Sequence, residues 1–397
     1  MVSASKSSGG NGPIRLGMVG GGQGAFIGGV HRIASRLDGE FSLVAGALSS
    51  DPERAKASAA ELGLDPARSY GSFAEMAKVE AARDDGIEAV AIVTPNHMHF
   101  APAKAFLQAG IHVICDKPLT STLAEAKKLV QLAESSASLF VLTHNYTGYP
   151  MVRQAREMVA GGVLGDLRVV HVEYPQDWLT EKAEATGSKQ AEWRTDPKRS
   201  GAGGATGDIG THAYNLARFV TGLELDALAA DLDAFVDGRL VDDNAHVLLR
   251  FKANGKARPA KGMLWASQVA PGNENALALR VYGTKGGLEW SQEQPNHLWY
   301  TPFGEPKRLI TRGGAGAGEA AARVSRIPPG HPEGYLEGFA NIYAEAARAI
   351  RAMRKKGGKV GKEVVFPTVR DGLEGVAFVD ACVRSSKKNG AWTKLAL

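Results

Sequence analysis

The chain has 397 residues, 47 basic and 42 acidic, for a formal net charge of +5, and 44% of it is hydrophobic. That length exceeds what a single hydrophobic core fills, so two folding units are expected; the mild charge, with no aromatics interleaved in its basic run, argues against nucleic-acid binding. Only Cys115 and Cys382 are cysteines, which excludes a disulfide framework, suggests no zinc spacing and fits a reducing cytoplasm.

Residues 1–12 are small, polar and glycine-rich and read as a flexible tail, since no apolar core of the roughly 7–15 residues a secretory signal needs follows them. From 13 to 146, short β-branched runs at 14–19, 41–48, 89–94, 112–115 and 139–143 alternate with helical patterns at 25–36, 52–62, 73–82, 100–109 and 123–134. This alternation predicts an α/β, doubly wound Rossmann-type parallel sheet with helices on both faces and ligands at the carboxyl ends of its strands. Beyond a helix at 151–160, longer alternating runs at 167–174, 228–236, 245–251, 262–269, 276–283 and 298–301 predict an α+β unit over 147–370 with a large open, mainly antiparallel sheet. Residues 313–318 and Pro328-Pro329-Gly330 mark loops, and 334–354 reads as a long helix whose basic stretch, 348–362, is a solvated face. A closing helical segment, 371–397, is expected to pack back on the first unit. No apolar run approaches the roughly 20 residues of a membrane span, so no membrane insertion is expected.

The first strand runs into Gly20-Gly21-Gly22-Gln23-Gly24-Ala25, a G-x-G-x-x-A pattern before a helix. Gly20 permits the tight turn, Gly22 lets the backbone approach a pyrophosphate, and Ala25 keeps the helix close to the strand. The second strand ends at Ala47-Leu48-Ser49-Ser50-Asp51 with no acid at its tip, which leaves NAD and NADP both open. Farther on, Gly203-Gly204-Ala205-Thr206-Gly207-Asp208-Ile209-Gly210-Thr211-His212 sets an acid and a histidine four residues apart after a glycine-rich turn. On a helix these two share a face and suit proton transfer; the plain alternative makes Asp208 a helix cap and His212 a locally satisfied ring. His97 and His99 lack a clear third ligand, so no metal site is expected.

In order, residues 20–25, Thr94-Pro95-Asn96 with His99, Asp116-Lys117-Pro118, Trp193-Arg194, 208–212, and Tyr282-Gly283-Thr284 before Gly286 resemble the glucose-fructose oxidoreductase and inositol dehydrogenase (Gfo/Idh/MocA) family. The likeness covers nearly the whole chain after the tail. Around Tyr146, 174–178 and 194–212 it is to the levoglucosan and pyranoside dehydrogenase branch. The resemblance implies NAD as cofactor, with NADP possible, and Lys117, Asp208 and His212 as the catalytic group. Lys117 would stabilise a developing alkoxide, His212 would take the hydroxyl proton, and Asp208 would orient it or hold a neighbouring hydroxyl. Asp116 stands where the family usually has glutamate.

Cofactor contacts are implied for Gly20, Gly22, Gln23, Gly24, Ala25, Phe26, Ser49, Ser50, Arg54, Thr94, Pro95, Asn96, His99, Asp116 and Lys117. Trp193 is implied as a further cofactor contact, and Asn145 and Arg194 would reach the nicotinamide end. Tyr146, Gln176, Asp177 and Trp178 would hold the substrate together with Lys117, Asp208 and His212, although Trp178 and Tyr146 have plain alternatives as core and junction residues. The implied protein is a cytoplasmic homodimer or homotetramer oxidising a secondary hydroxyl, at C3, of a pyranose or anhydrosugar such as levoglucosan. The rivals are inositol dehydrogenase, aldose 1-dehydrogenase, an NAD-dependent glycoside hydrolase, and a non-enzymatic sugar or dinucleotide sensor. The intact lysine and histidine speak against the sensor.

Overall fold

The computed structural model describes residues 12–397 except 254, 256, 356 and 357, so nearly all of the expected tail lies outside the described residues. Strands β1 (Ile14–Gly20), β2 (Phe41–Ala47), β3 (Ala89–Val93), β4 (His112–Cys115) and β5 (Phe140–Leu142) form a parallel sheet in the order β2-β1-β3-β4-β5. Helices α1 (Phe26–Leu37), α2 (Pro52–Glu61), α3 (Phe73–Ala81), α4 (Phe100–Gln108) and α5 (Leu123–Ser135) connect them. Every residue of β3 is buried, as expected of a central strand covered on both faces. Asp51, Ser72 and Thr122 cap α2, α3 and α5 by accepting the amides of Arg54, Glu75 and Glu125, which fixes where these helices begin.

The chain then forms α6 (Pro150–Ala160), β6 (Leu167–Pro175), α7 (Lys189–Arg194), α8 (Pro197–Ser200) and α9 (Thr211–Thr221). The remaining strands are β7 (Leu225–Asp233), β8 (Asn244–Phe251), β9 (Lys261–Ser267), β10 (Ala278–Gly283), β11 (Gly286–Ser291), β12 (His297–Pro302) and β13 (Arg308–Thr311). With β6 they make an eight-stranded sheet, β13-β12-β11-β10-β6-β9-β8-β7, antiparallel except where β6 pairs with β9. Its inner face, including Val247, Leu249 and Phe251 of β8, packs into one core with Tyr214, Leu216 and Val220 of α9.

Three helices follow: α10 (Glu319–Ala322), α11 (Tyr335–Arg354) and α12 (Val369–Ser386). The apolar face of α11, with Phe339, Ile342, Tyr343 and Ile350, shares a core with Ile14, Leu16, Val30 and Phe41 of the first sheet unit. Its basic residues are less free than a solvated face implies, because Arg351 pairs with Glu40 and Arg354 with Glu88. Helix α12 lies against α5 and β5 on one side and α9 and β7 on the other. Among the described residues, no helix is long and apolar enough to cross a membrane.

Candidate active site

The turn after β1 puts Gly20 and Gly21 at φ of +77° and +72°, in the left-handed region that favours glycine. The helix packs tightly on the turn at Gly28, where a Cβ would lie 2.4 Å from the Cα and carbonyl oxygen of Gly21. Helix α1 begins with no side-chain cap and no acid in its first turn, so among the described residues neither its cap nor its first turn satisfies its first amides or offsets its positive dipole end. A cavity of about 390 Å³ adjoins this turn, lined among others by Gly22, Gln23, Arg32, Ser58 and Glu61. Gln23 is anchored there, its backbone amide donating to Ser58 Oγ at 3.1 Å and its side-chain amide to Glu61 at 3.1 Å. At the end of β2, Asp51 is occupied with capping α2 and its own amide donates to Ser49 Oγ at 3.1 Å. Ser50 and Arg54 are exposed nearby.

A second cleft, of about 790 Å³, opens where β1, β3, β4 and β5 end and the second sheet begins. It brings together Ala25, Phe26, Thr94, Pro95, Asn96, Asp116, Lys117, Asn145, Tyr146, Gln176, Trp178, Trp193, Arg194, Asp208 and His212. Asn96 donates to the Ser200 carbonyl at 3.1 Å, tying the turn after β3 to the other wall. Asn145 is buried, and its Nδ2 has no hydrogen-bond partner among the described residues. An orphaned donor in a cleft wall suits an amide-bearing ligand.

His99 does not join this cleft. It is 1% exposed, with Nδ1 2.7 Å from the Pro118 carbonyl and Nε2 2.8 Å from the Thr94 carbonyl, so it braces the two cofactor-side turns from behind. Burial lowers its pKa although Asp116 and both carbonyls pull the other way. His97 is exposed. Asp177 is also elsewhere: its Oδ2 accepts the Gly272 amide at 3.1 Å and so fixes the loop between β9 and β10.

At the centre of the cleft Lys117 Nζ donates to Asp208 Oδ1 at 3.0 Å and to the Asp208 carbonyl at 2.6 Å. Asp208 Oδ2 accepts from Arg194 Nε at 3.1 Å and from Gln268 Nε2 at 2.9 Å. Burial alone would raise this carboxyl, but the Lys117 and Arg194 cations hold it well below the usual carboxylate range. Behind Lys117, the Asp116 carboxylate accepts from the Lys117 amide at 2.9 Å and Thr143 Oγ1 at 3.0 Å, and lies 3.9 Å from His31 Nε2. Burial would raise Asp116 too; His31 and Lys117 bring it below its ordinary value.

His212 is 7% exposed, and burial, followed by the Lys117 cation and the neighbouring His144 ring, pushes its pKa well below the ordinary value, which keeps it neutral. Its ring meets Tyr146 edge-on at 4.8 Å and His144 at 5.5 Å. The segment carrying the pair is not a plain α-helix. Thr206–Gly210 makes a π-helical turn, with the Thr211 amide donating to the Thr206 carbonyl, and this extra residue changes the register between positions 208 and 212. Among the described residues no hydrogen bond joins Asp208 to His212; Asp208 faces Lys117 and Arg194 instead. The capping role belongs to Asp242, whose carboxylate accepts from Gly204 N at 2.8 Å, Thr206 N at 2.8 Å and Thr206 Oγ1 at 2.7 Å.

The remaining wall is a polar chain. Tyr146 hydrogen-bonds Tyr174, Tyr174 Oη donates to Asn275 Oδ1 at 2.7 Å, Gln176 Nε2 donates to the same oxygen at 2.7 Å, and Trp178 Nε1 donates to Gln176 Oε1 at 3.0 Å. Arg194 lies 4.3 Å from the Trp193 ring and 5.9 Å from that of Trp178. Sequence reasoning missed Gln268 and Asn275, amides on or just beyond strands of the second sheet, and Tyr335 on α11. Nothing in their spacing marks them.

The description "Oxidoreductase family, NAD-binding Rossmann fold" matches residues 14–146, and "GFO/IDH/MocA C-terminal domain" matches residues 152–289. A crystal structure of an oxidoreductase from Sinorhizobium meliloti is 66% identical, with a TM-score of 0.88 over 97% of this chain and 100% of that one. An inositol dehydrogenase homolog from Azotobacter vinelandii, complexed with NADH and myo-inositol, is 36% identical, with a TM-score of 0.89 over 96% of this chain and 98% of that one. Levoglucosan dehydrogenase from Pseudarthrobacter phenanthrenivorans is 28% identical over 414 residues, 96% of this chain and 97% of its own. The glycine turn, the uncapped start of α1 and the orphaned Asn145 amide fit the dinucleotide these descriptions name, and the chain belongs to the GFO/IDH/MocA family of NAD-binding oxidoreductases.

Proposed function

We propose that this enzyme oxidises a secondary ring hydroxyl, at C3, of a pyranoside or anhydrosugar such as levoglucosan to a ketone. The observation that carries the reading is the convergence of the Lys117 ammonium, the neutral His212 imidazole and a chain of amides and hydroxyls in one cleft at the parallel strand tips. Bound NAD supplies the hydride acceptor. The protein's part is to orient the hydroxyl and move its proton: Lys117, fixed by Asp208, aims positive charge at the oxygen, and His212 accepts the proton as the carbon loses hydride. Lys117 Nζ and Arg194 Nε contact opposite oxygens of Asp208, which fixes both cations in the cleft where an alkoxide would develop. Thr94, Asn96, Asn145, Trp193 and Arg194 would hold the nicotinamide end, and Gly20, Gly22, Gln23, Gly24 and Ala25 the pyrophosphate. NAD is expected to be preferred with measurable use of NADP, because Ser49 and Ser50 neither demand a ribose hydroxyl nor repel a 2′-phosphate.

A cyclic polyol is the second reading, supported by the higher identity to the relative bound to myo-inositol. Levoglucosan and inositol share one property: neither offers a free anomeric hydroxyl. The test is to incubate the enzyme with NAD and levoglucosan, methyl glucoside, glucose or myo-inositol carrying deuterium on single carbons and follow the label. Deuterium arriving on reduced nicotinamide from C3 of a pyranoside is expected; turnover of free aldoses alone, with label from C1, would reject the reading.

Two coarser features complete it. The outer face of the second sheet carries Leu248, Met263 and Trp299 exposed, which supports a homodimer or homotetramer built face to face. The buried free thiols of Cys115 and Cys382 suit a cytoplasmic setting.

A further inference from the structure

A third cavity, of about 620 Å³ and open to solvent, lies next to the cleft and shares Asn275, Gln292 and Tyr335 with it as lining residues. Its own lining adds Tyr149, Glu274, Glu293 and Pro295. Nothing in hydride transfer calls for this space. Nevertheless its wall is built: Glu293 accepts the Asn275 amide at 3.0 Å, and Asp177 pins the loop that carries Glu274 and Asn275 through the Gly272 amide at 3.1 Å. The Tyr149 hydroxyl, on a residue 1% exposed, and Gln292 Oε1 have no partner in full hydrogen-bond geometry among the described residues, although the Gln292 side chain lies close enough to Tyr149 to offset part of the upward pKa shift that burial imposes.

Resting on the reading of the preceding section, we infer that this cavity takes a second sugar ring, and that the substrate is a neutral glycoside whose terminal ring is oxidised in the cleft. The chemistry of the lining selects that class. A hydroxyl, two side-chain amides and two carboxylates match a ring of hydroxyl donors and acceptors, while Tyr335 and Pro295 offer apolar faces of the kind that sugar C–H groups cover. Glu274 and Glu293 repel phosphorylated or carboxylated groups. A blocked C1 is what the inner site tolerates, and the outer cavity gives that blocking group a place. The reaction at the inner ring is unchanged: one C–H leaves as hydride to NAD, one O–H leaves as a proton, the glycosidic bond stays intact, and the products are a 3-keto glycoside and NADH.

The test compares kcat/KM with NAD for methyl glucoside against methyl cellobioside and methyl maltoside, in the parent enzyme and in Glu274→Ala and Pro295→Trp. At least one disaccharide glycoside is expected to exceed methyl glucoside about tenfold, mainly through KM, and Pro295→Trp, which fills the cavity, should bring that ratio to about one. Glu274→Ala should reduce it severalfold. Methyl glucoside turnover reports that each variant is folded. Oxidation of methyl glucoside with no disaccharide advantage, or an advantage that survives Pro295→Trp, overturns the second-ring site and leaves the proposed function standing. Failure to oxidise any pyranoside overturns both.

Discussion

Lys117, Asp208 and His212 divide the work of the site in a way their contacts make testable. Replacing Lys117 by Met removes one of three donors to Asp208, leaving Arg194 and Gln268, so the carboxylate stays paired and the fold should survive. Loss of the ammonium aimed at the alkoxide should then lower kcat by about two orders of magnitude or more, the usual scale for removing such a group. His212→Ala should do the same by removing the proton acceptor. Steady-state kinetics on purified, folded variants check both, and near-normal turnover in either one rejects its role. Asp208→Asn should be milder, acting through a misplaced Lys117.

His144 makes a separate prediction about acid. Its ring is buried, with no partner for Nδ1 among the described residues, and burial lowers its pKa from 6.5 to about 4. Above pH 6.5 it is neutral folded and unfolded; below that the unfolded chain takes a proton the folded one refuses, so stability falls until about pH 4. The shift corresponds to at most about 3 kcal/mol. Urea midpoints measured across this window should drop with pH, and His144→Gln should flatten the slope; an unchanged slope would show that other groups govern it.

At the level of elements, the turn and first helix act as one piece. Because the Gly28 position touches backbone of the turn, where no side chain can swing aside, Gly28→Ala should push α1 off Gly21 and weaken NAD binding about tenfold or more. Calorimetric titration with NAD would measure this, and unchanged affinity would mean the turn does not cradle the pyrophosphate. The elements of the parallel sheet were legible to within a residue or two because burial on both faces, alternating helix patterns and capping residues such as Asp51, Ser72 and Thr122 all point to the same boundaries. Strand β11 opens on Gly286-Gly287 and β13 is short and half exposed; their pairing with β10 and β12 is what makes them strands. The π-helical turn left no trace in composition, so a helical spacing between Asp208 and His212 was the natural reading and the wrong register. Gln268 and Asn275 were illegible for a different reason: ordinary amides become site residues only when the sheet carries them to Asp208 and Tyr174.

On the scale of the whole molecule, the second sheet has one face filled by α6 and α9 and one left outward. Leu248 and Met263, each 51% exposed, sit opposite each other on β8 and β9, toward the β7 edge of that outward face. A charge there should be tolerated by the monomer and not by a face-to-face partner. Leu248→Glu with Met263→Glu is therefore expected to halve the mass seen by light scattering while the thermal transition persists; a parent protein that is already monomeric would remove the proposal.

The placement of α11 has a consequence for how the protein is made. A ribosome releases β1 through β5 early, yet the side chains that close the core over Ile14, Leu16 and Phe41 are Phe339, Ile342, Tyr343 and Ile350, and the Leu142 amide at the sheet's edge donates to the Pro367 carbonyl at 2.9 Å. The dinucleotide unit, first in the message, is thus finished only after the whole second sheet has been made. Until α11 emerges it must wait with an apolar face open, while the sheet encoded in between can already pack most of its inner face against α6 and α9 and lacks only α12. A fragment of residues 12–146 should accordingly fail to show a cooperative thermal transition, and adding residues 335–397 in trans should restore one; a stable, NAD-binding fragment on its own would contradict this order of assembly.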